Sequence, residues 1–351
     1  MAFLLYGANG YTGQLVAELA AARGLKPILA GRSAEKVRPL AEKLGLEWRA
    51  FGLDSPAALD EGLRGADLVL HSAGPFSQTS APMVDACLRG GRHYLDLTGE
   101  VDVFEAVLGR DREAKEKGIT LLPGAGFDVV PSDCLAALLH RALPTATSLE
   151  LAFAPAKGTK GTSSAGTAKS AVEGLVRGGR VRRGGKLIDV PLAHETKEIV
   201  FPDGPRHCVA IPWGDLATAF RSTGIPDITV YMAMPRAAVA ATRAMRLFAP
   251  ALRWAPLMSF VQRRIEKNVA GPTEEQRRRA RVHFWGRVSD GSRSVEGTMT
   301  VPEGYTLTAE SALACAQRVL EGKAPKGAVT PSQAFGPDFA ATLPGVSVKV
   351  G

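Results

Sequence analysis

Three glycines mark the first place in this sequence where chemistry is legible. Gly7-Ala8-Asn9-Gly10-Tyr11-Thr12-Gly13 follows the apolar run Ala2–Tyr6 and opens a segment with Leu15, Leu19 and Ala22 near helical spacing. A strand–glycine loop–helix unit suits a pyrophosphate. Gly7 turns the chain, Gly10 lets backbone N–H groups approach the phosphates, and Gly13 lets the helix pack on the sheet. The spacing GxxGxxG is a variant of the usual GxGxxG fingerprint. The next strand selects the nucleotide. An NAD site usually places Asp or Glu at its end, to hold the ribose 2′-OH. Here it ends Leu29-Ala30-Gly31-Arg32-Ser33, and the nearest acid, Glu35, falls inside the following helix. Arg32 offers a planar cation to adenine and to a 2′-phosphate, and Ser33 a hydroxyl and an N–H. The expected cofactor is therefore NADP(H).

Further strand ends carry small and acidic residues. Ser72-Ala73-Gly74-Pro75-Phe76 would let the backbone pass the cofactor, with Phe76 walling the nicotinamide pocket. Tyr94, Asp96 and Glu100 cluster after the fifth strand, and Asp128 follows the sixth. Asp96 and Glu100 could hold a ribose, order a water or move a proton. Tyr94, Asp96 and Asp128 are the candidate proton handlers. A single Asp at such a place serves as readily as a helix cap or loop acceptor.

The elements that must position these residues alternate strand and helix through the first 130 residues. Strands are expected at Ala2–Tyr6, Pro27–Ala30, Glu47–Phe51, Asp67–His71, His93–Leu97 and Ile119–Leu122. Between them lie helices, with Ser33 and Ser55-Pro56 starting two, and with Thr79–Arg89 and Val101–Lys117 forming two more. That pattern is α/β: a Rossmann doubly wound parallel sheet. After Pro131 a helix capped by Ser132 is expected. Strands at Ser148–Phe153, Ile188–Ile199, Cys208–Pro212, Ile228–Met234, Val282–Ser289 and Ser294–Val301 then follow with few crossover helices. They predict a second α+β domain with a mixed or antiparallel sheet. A helix capped by Thr308 runs to Leu320, before a Pro- and Gly-rich tail expected on the surface. The boundaries are 1–130, 131–307 and 308–351, the last returning to the first domain.

Composition narrows the classes. The 351 residues are 45% hydrophobic and 22% charged, which excludes a disordered chain and a polytopic membrane protein. Cys87, Cys134, Cys208 and Cys315 are far apart, so buried thiols are expected rather than a metal site or disulfides. The amino terminus lacks a basic, apolar leader pattern, and a cytoplasmic location is expected. The net charge is +8, and the excess is local. Residues 156–186 hold eight Lys and Arg against one Glu, and residues 236–281 hold eleven against three. No nucleic-acid-binding motif accompanies them. An acidic acyl carrier protein, a membrane surface and a second copy of the chain stand open as partners.

Several motifs resemble those of the saccharopine dehydrogenase-like NADP-binding oxidoreductases. They are GANGYTG at 7–13, AGR at 30–32, AGPF at 73–76, YLDLTGE at 94–100 and GAGFDVVPSD at 124–133. Gly166-Thr167-Ala168, Ile211–Asp215 and Ser222–Pro226 look closer to the branch containing trans-acting enoyl reductases. The resemblance implies a Rossmann domain, an inserted substrate domain and a returning carboxyl-terminal segment. It supplies no catalytic residue.

Three readings follow as alternatives. In enoyl reduction, hydride reaches the β-carbon, an enolate needs donors, and the α-carbon needs a proton. Ser163, Ser164 and Thr167, before a helix near Gly166, are candidate substrate and oxyanion donors. Ala237–Val261, apolar but interrupted by Arg and Pro, could line an acyl tunnel or lie on a membrane. Imine or carbonyl reduction would instead place carboxylate-binding arginines in the cleft. A non-catalytic NADP sensor would bind the cofactor without transferring hydride.

Overall fold

The first apolar run becomes β1 (Phe3–Tyr6), buried along its whole length, as strands are when helices cover both faces of a parallel sheet. The computed structural model describes residues 2–159, 178–245, 264 and 271–351. They form two compact units: Met1–Val130 with Tyr305–Pro344, and Pro131–Gly304 with Gly345–Gly351.

In the first unit, α1 (Tyr11–Ala22), β2 (Ile28–Gly31), α2 (Ala34–Leu44), β3 (Trp48–Ala50), α3 (Pro56–Gly62) and β4 (Leu68–His71) follow β1. Next come α4 (Phe76–Gly90), β5 (His93–Asp96), α5 (Val101–Leu108), α6 (Asp111–Glu116) and β6 (Thr120–Leu122). The strands are parallel in the order β6-β5-β4-β1-β2-β3. Strand order therefore reverses between β1 and β4. That is the switch point where ligands sit in such sheets.

Local signals explain most boundaries. Ser55 caps α3, its Oγ accepting from the Ala58 N–H, with Pro56 at the first helical position. Ser33 stands at the cap of α2 but makes no side-chain cap bond. The helix expected over 101–117 is two, because Gly109 and Arg110 interrupt it and Arg110 turns to Asp85 and Glu113. α4 starts at Phe76, three residues before the expected Thr79, directly after Pro75.

The second unit holds α7 (Val130–Ala142, beginning at the boundary), β7 (Ser148–Pro155), β8 (Gly179–Arg183), β9 (Lys186–Val190) and β10 (Thr196–Phe201). It continues with β11 (Gly204–Ala210), α8 (Asp215–Thr223), β12 (Asp227–Ala233), α9 (Arg236–Met245), α10 (Glu274–Arg279), β13 (Arg281–Ser289) and β14 (Ser294–Pro302). The sheet is mixed: β12 and β7 are parallel, and the other pairs antiparallel. The single strand expected at 188–199 is two. Pro191, which lacks an N–H, and Ala193, at φ 54°, break it. Ser132 lies inside α7 rather than capping it.

The chain then returns. α11 (Gly304–Leu320) begins four residues before the expected cap, so Thr308 sits inside it. β15 (Gly327–Ala328) joins the first sheet beyond β6, and α12 (Pro331–Phe335) follows. β16 (Ser347–Val350) pairs with β14 in the second sheet. The tail is not a surface strand of loose chain: Thr330, Phe339 and Ala340 are buried. All four cysteines are free and buried.

Leu135 and Leu139 of α7 pack on β13 at Gly286, where an added Cβ would lie 2.6 Å from Leu139 Cδ1. Gly286→Val overpacks this seam and should cost about 1–3 kcal/mol, read as a lower urea midpoint.

Candidate functional site

At the end of β1 the chain turns through Gly7, whose φ of 86° is left-handed. The N–H groups of Gly7 and Ala8 donate to Ala30 O at 2.8 and 3.1 Å, tying the loop to β2. A Cβ on Gly7 would lie 2.8 Å from Ala73 N, so the loop after β4 touches the glycine loop backbone to backbone. A Cβ on Gly13 would strike Gly7 O and Ala8 Cα, which fixes the close packing of α1. Gly10 is exposed and offers α1 no side-chain cap, and the first turn of α1 carries no acid. The positive end of that helix is thus presented to an anion. Ala8 is buried, Asn9, Tyr11 and Thr12 are half-buried, and the Tyr11 ring meets Tyr305 edge-on at 4.9 Å.

At the end of β2, Arg32 is exposed and makes no ion pair or hydrogen bond among the described residues. Ser33 is half-buried beside it. The Tyr6 hydroxyl donates to Phe51 O at 2.9 Å, and burial pushes its phenol up to about 12 against the opposing pull of Arg32. Glycine loop, helix end, absent carboxylate and uncommitted guanidinium together fit NADP(H).

At the end of β4, both the N–H and the hydroxyl of Ser72 donate to Tyr6 O, at 2.8 and 2.9 Å. Ala73, Gly74 and Pro75 follow, with a cis Gly74–Pro75 peptide. Phe76 opens α4. It is buried, edge-on to the His71 ring at 5.5 Å, because its N–H and that of Ser77 donate to the Glu100 carboxylate at 2.9 and 3.1 Å. Glu100 is therefore the anion at the start of α4.

Tyr94 and Asp96 sit together in β5. Both are fully enclosed. Asp96 Oδ2 accepts from the Tyr94 hydroxyl at 2.7 Å, and Oδ1 from Thr98 N at 3.0 Å and Gly124 N at 2.8 Å. The carboxyl welds the ends of β5 and β6. Burial raises it to about 6 despite these donors, and holds the Tyr94 phenol well above its ordinary value. Asp128 differs. It is half-buried, its carboxyl occupies the space that a Cβ on Gly99 would need, and burial pushes it up to about 7. Its neighbour Phe127 donates from N to Thr308 Oγ1 at 3.0 Å, while the Ser311 hydroxyl donates to Ala125 O at 2.7 Å. Thr308 thus anchors this loop instead of capping a helix.

Ser163, Ser164 and Thr167 lie outside the described residues, as do Gly166 and 246–261 of the apolar segment. Two arginines of the first basic stretch turn inward. Arg182 donates to Gly185 O at 2.7 Å and stacks 4.2 Å over Phe220, and Arg183 reaches Thr229 Oγ1 at 2.8 Å. Among the described residues no acid, His or Cys group is arranged to hold a metal, and no helix is long and apolar enough to cross a membrane.

Residues 3–122 match the family described as "Saccharopine dehydrogenase NADP binding domain". A trans-acting enoyl reductase of Mycobacterium ulcerans (strain Agy99) is 33% identical over 152 residues, 39% of this chain and 35% of that protein. A human saccharopine dehydrogenase-like oxidoreductase is 31% identical over 194 residues, 49% of this chain and 45% of that protein. The chain thus spans less than half the length of each of these curated relatives. Apo saccharopine dehydrogenase (L-Glu forming) from Saccharomyces cerevisiae shares the fold, with a TM-score of 0.68 over 100% of this chain and 99% of that one, at 14% identity.

The raised Asp128 carboxyl sets a pH signature. Between its unfolded value near 4 and about 7 the native state holds the extra proton, so stability falls as pH rises through that window. Asp128→Asn removes the charged form. Its stability relative to wild type should rise from pH 4 to pH 8, measured by urea unfolding at both.

Proposed function

We propose that the chain, whose residues 3–122 match the saccharopine dehydrogenase NADP-binding domain, is an NADP(H)-dependent oxidoreductase acting on an enoyl or related acyl substrate. The observation that carries the oxidoreductase reading is the crevice at the switch point. There the open end of α1 and the uncommitted Arg32 flank a glycine loop with no room for a Cβ at Gly7. The acyl reading is supported by the likeness to the mycobacterial enoyl reductase.

When bound, NADPH would supply the hydride for the β-carbon of the conjugated acyl group. The chain's residues do the rest. The free N–H groups at the start of α1 would seat the diphosphate, with Gly10 leaving room for it, and Arg32 and Ser33 would hold the 2′-phosphate. Asp128, with its carboxyl near neutrality, is suited to hold the proton that the α-carbon takes up. That proton and the hydride would together saturate the double bond. In this reading the protein is cytoplasmic and meets its acyl group as a thioester, free or on an acidic carrier. The likeness to the human saccharopine dehydrogenase-like oxidoreductase favours a second reading, reduction of an imine or carbonyl.

NADPH deuterated at C4, incubated with trans-2-enoyl thioesters of rising chain length, separates the two. Deuterium at the β-carbon supports enoyl reduction. Its absence, with NADPH binding in the same samples, sets the acyl reading aside. Arg32→Ala should weaken NADPH by about tenfold or more while leaving NADH nearly unchanged, since only NADPH carries the phosphate. Fluorescence titration with both nucleotides checks this.

A further inference from the structure

We propose that His71 and Thr79 are a positioning pair that fixes the turn Ala73-Gly74-Pro75 against the glycine loop, and thereby sets affinity for the nicotinamide half of NADP(H). The inference rests on the reading of this crevice as the NADP(H) site.

His71 is the last residue of β4 and is fully enclosed. Its Nε2 lies 3.0 Å from Thr79 Oγ1, in the first turn of α4. The Thr79 hydroxyl has one proton, which it directs to Ala73 O at 2.6 Å, with Pro75 O at 3.1 Å. Towards His71 the hydroxyl must therefore accept, so the ring carries its proton on Nε2. Nδ1 keeps its lone pair, buried and without a partner. The rings of Tyr6, Phe76 and Tyr94 surround the imidazole at 5.5, 5.5 and 6.2 Å. Burial holds it far below its ordinary titration, near 3, so it stays neutral and keeps one tautomer.

An apolar side chain would fill this place without leaving a bare nitrogen. What the imidazole adds is one directed donor. Through Thr79 it turns the carbonyls of Ala73 and Pro75 towards α4. The opposite edge of the turn is then set, and it is Ala73 N that stands 2.8 Å from where a Gly7 Cβ would be. The pair thus governs the width of the crevice on its β4 side. The adenosine side, at Arg32 and Ser33, is held separately through β2. In a doubly wound sheet the two mononucleotide halves of the cofactor lie on opposite sides of the switch point, so the pair acts on one half alone.

Calorimetric titration with NADP+ and with 2′,5′-ADP, the adenosine half alone, reads this split. Thr79→Val removes the hydroxyl at nearly constant volume. NADP+ affinity should fall by about tenfold or more, with 2′,5′-ADP kept within about twofold. Thr79→Ser should restore NADP+ binding. His71→Phe keeps an aromatic ring in place, removes the donor to Thr79 along with the unpartnered Nδ1, and should show the same selective loss. Unchanged NADP+ affinity in both Thr79→Val and His71→Phe would overturn the proposal. So would an equal loss of both ligands in both variants, because the pair would then only hold the unit together. Failure of the wild-type protein to bind NADP+ would remove the cofactor reading itself.

Discussion

At Gly7 two loops meet with no room for one methyl group. The glycine loop after β1 and the turn after β4 approach backbone to backbone, and a Cβ there would lie 2.8 Å from Ala73 N. The rest of the first unit serves this approach. The parallel sheet brings both strand ends to one side, Gly13 lets α1 pack close, and Ser72 ties the β4 loop back to Tyr6. On the far side, Asp96 joins the ends of β5 and β6, and Glu100 fixes the start of α4. A site for a dinucleotide is here a matter of how little lies between two backbones, more than of which side chains reach out.

Much of this was legible because the constraints are local. Glycines at 7, 10 and 13 between an apolar run and an amphipathic segment have few other uses. Ser55-Pro56 starts a helix by its own chemistry. The missing acid after β2 is read directly, since it concerns one position. What was not legible depends on direction and distance. Asp96 looks from the sequence like any carboxylate at a strand end, yet it faces back to Tyr94 and to Gly124, 28 residues on. Glu100 serves a helix that starts 24 residues earlier. Thr308 looks like a cap and is instead the acceptor for Phe127, 181 residues away. Phe76, apolar and beside the loop, could line a pocket or fill a core, and His71 decided for the core.

The second unit teaches the same lesson about charge. The stretch around 180–186 is rich in Lys and Arg, which reads as a basic face. In the folded unit, Arg182 and Arg183 bind carbonyls and a threonine hydroxyl within and beside the sheet, and Arg180 pairs with Asp189. Nearby, Lys197 is held by Glu150, and the Tyr231 hydroxyl by Glu195. A count along the chain treats every cation as solvent-facing. A guanidinium with five donors is well able to stitch strands together, and here it does.

The returning segments also bear on synthesis. Each unit is assembled from two separated stretches, and each sheet has a strand drawn from beyond residue 326. As the chain leaves the ribosome, β1–β6 emerge early, but α11, which anchors the loop of Phe127, and β15 emerge only after residues 131–303 of the second unit. Neither sheet has its full set of strands until segments beyond residue 326 are made. Vectorial folding, in which an amino-terminal domain is complete before the next begins, is closed to this topology. The two units must mature together.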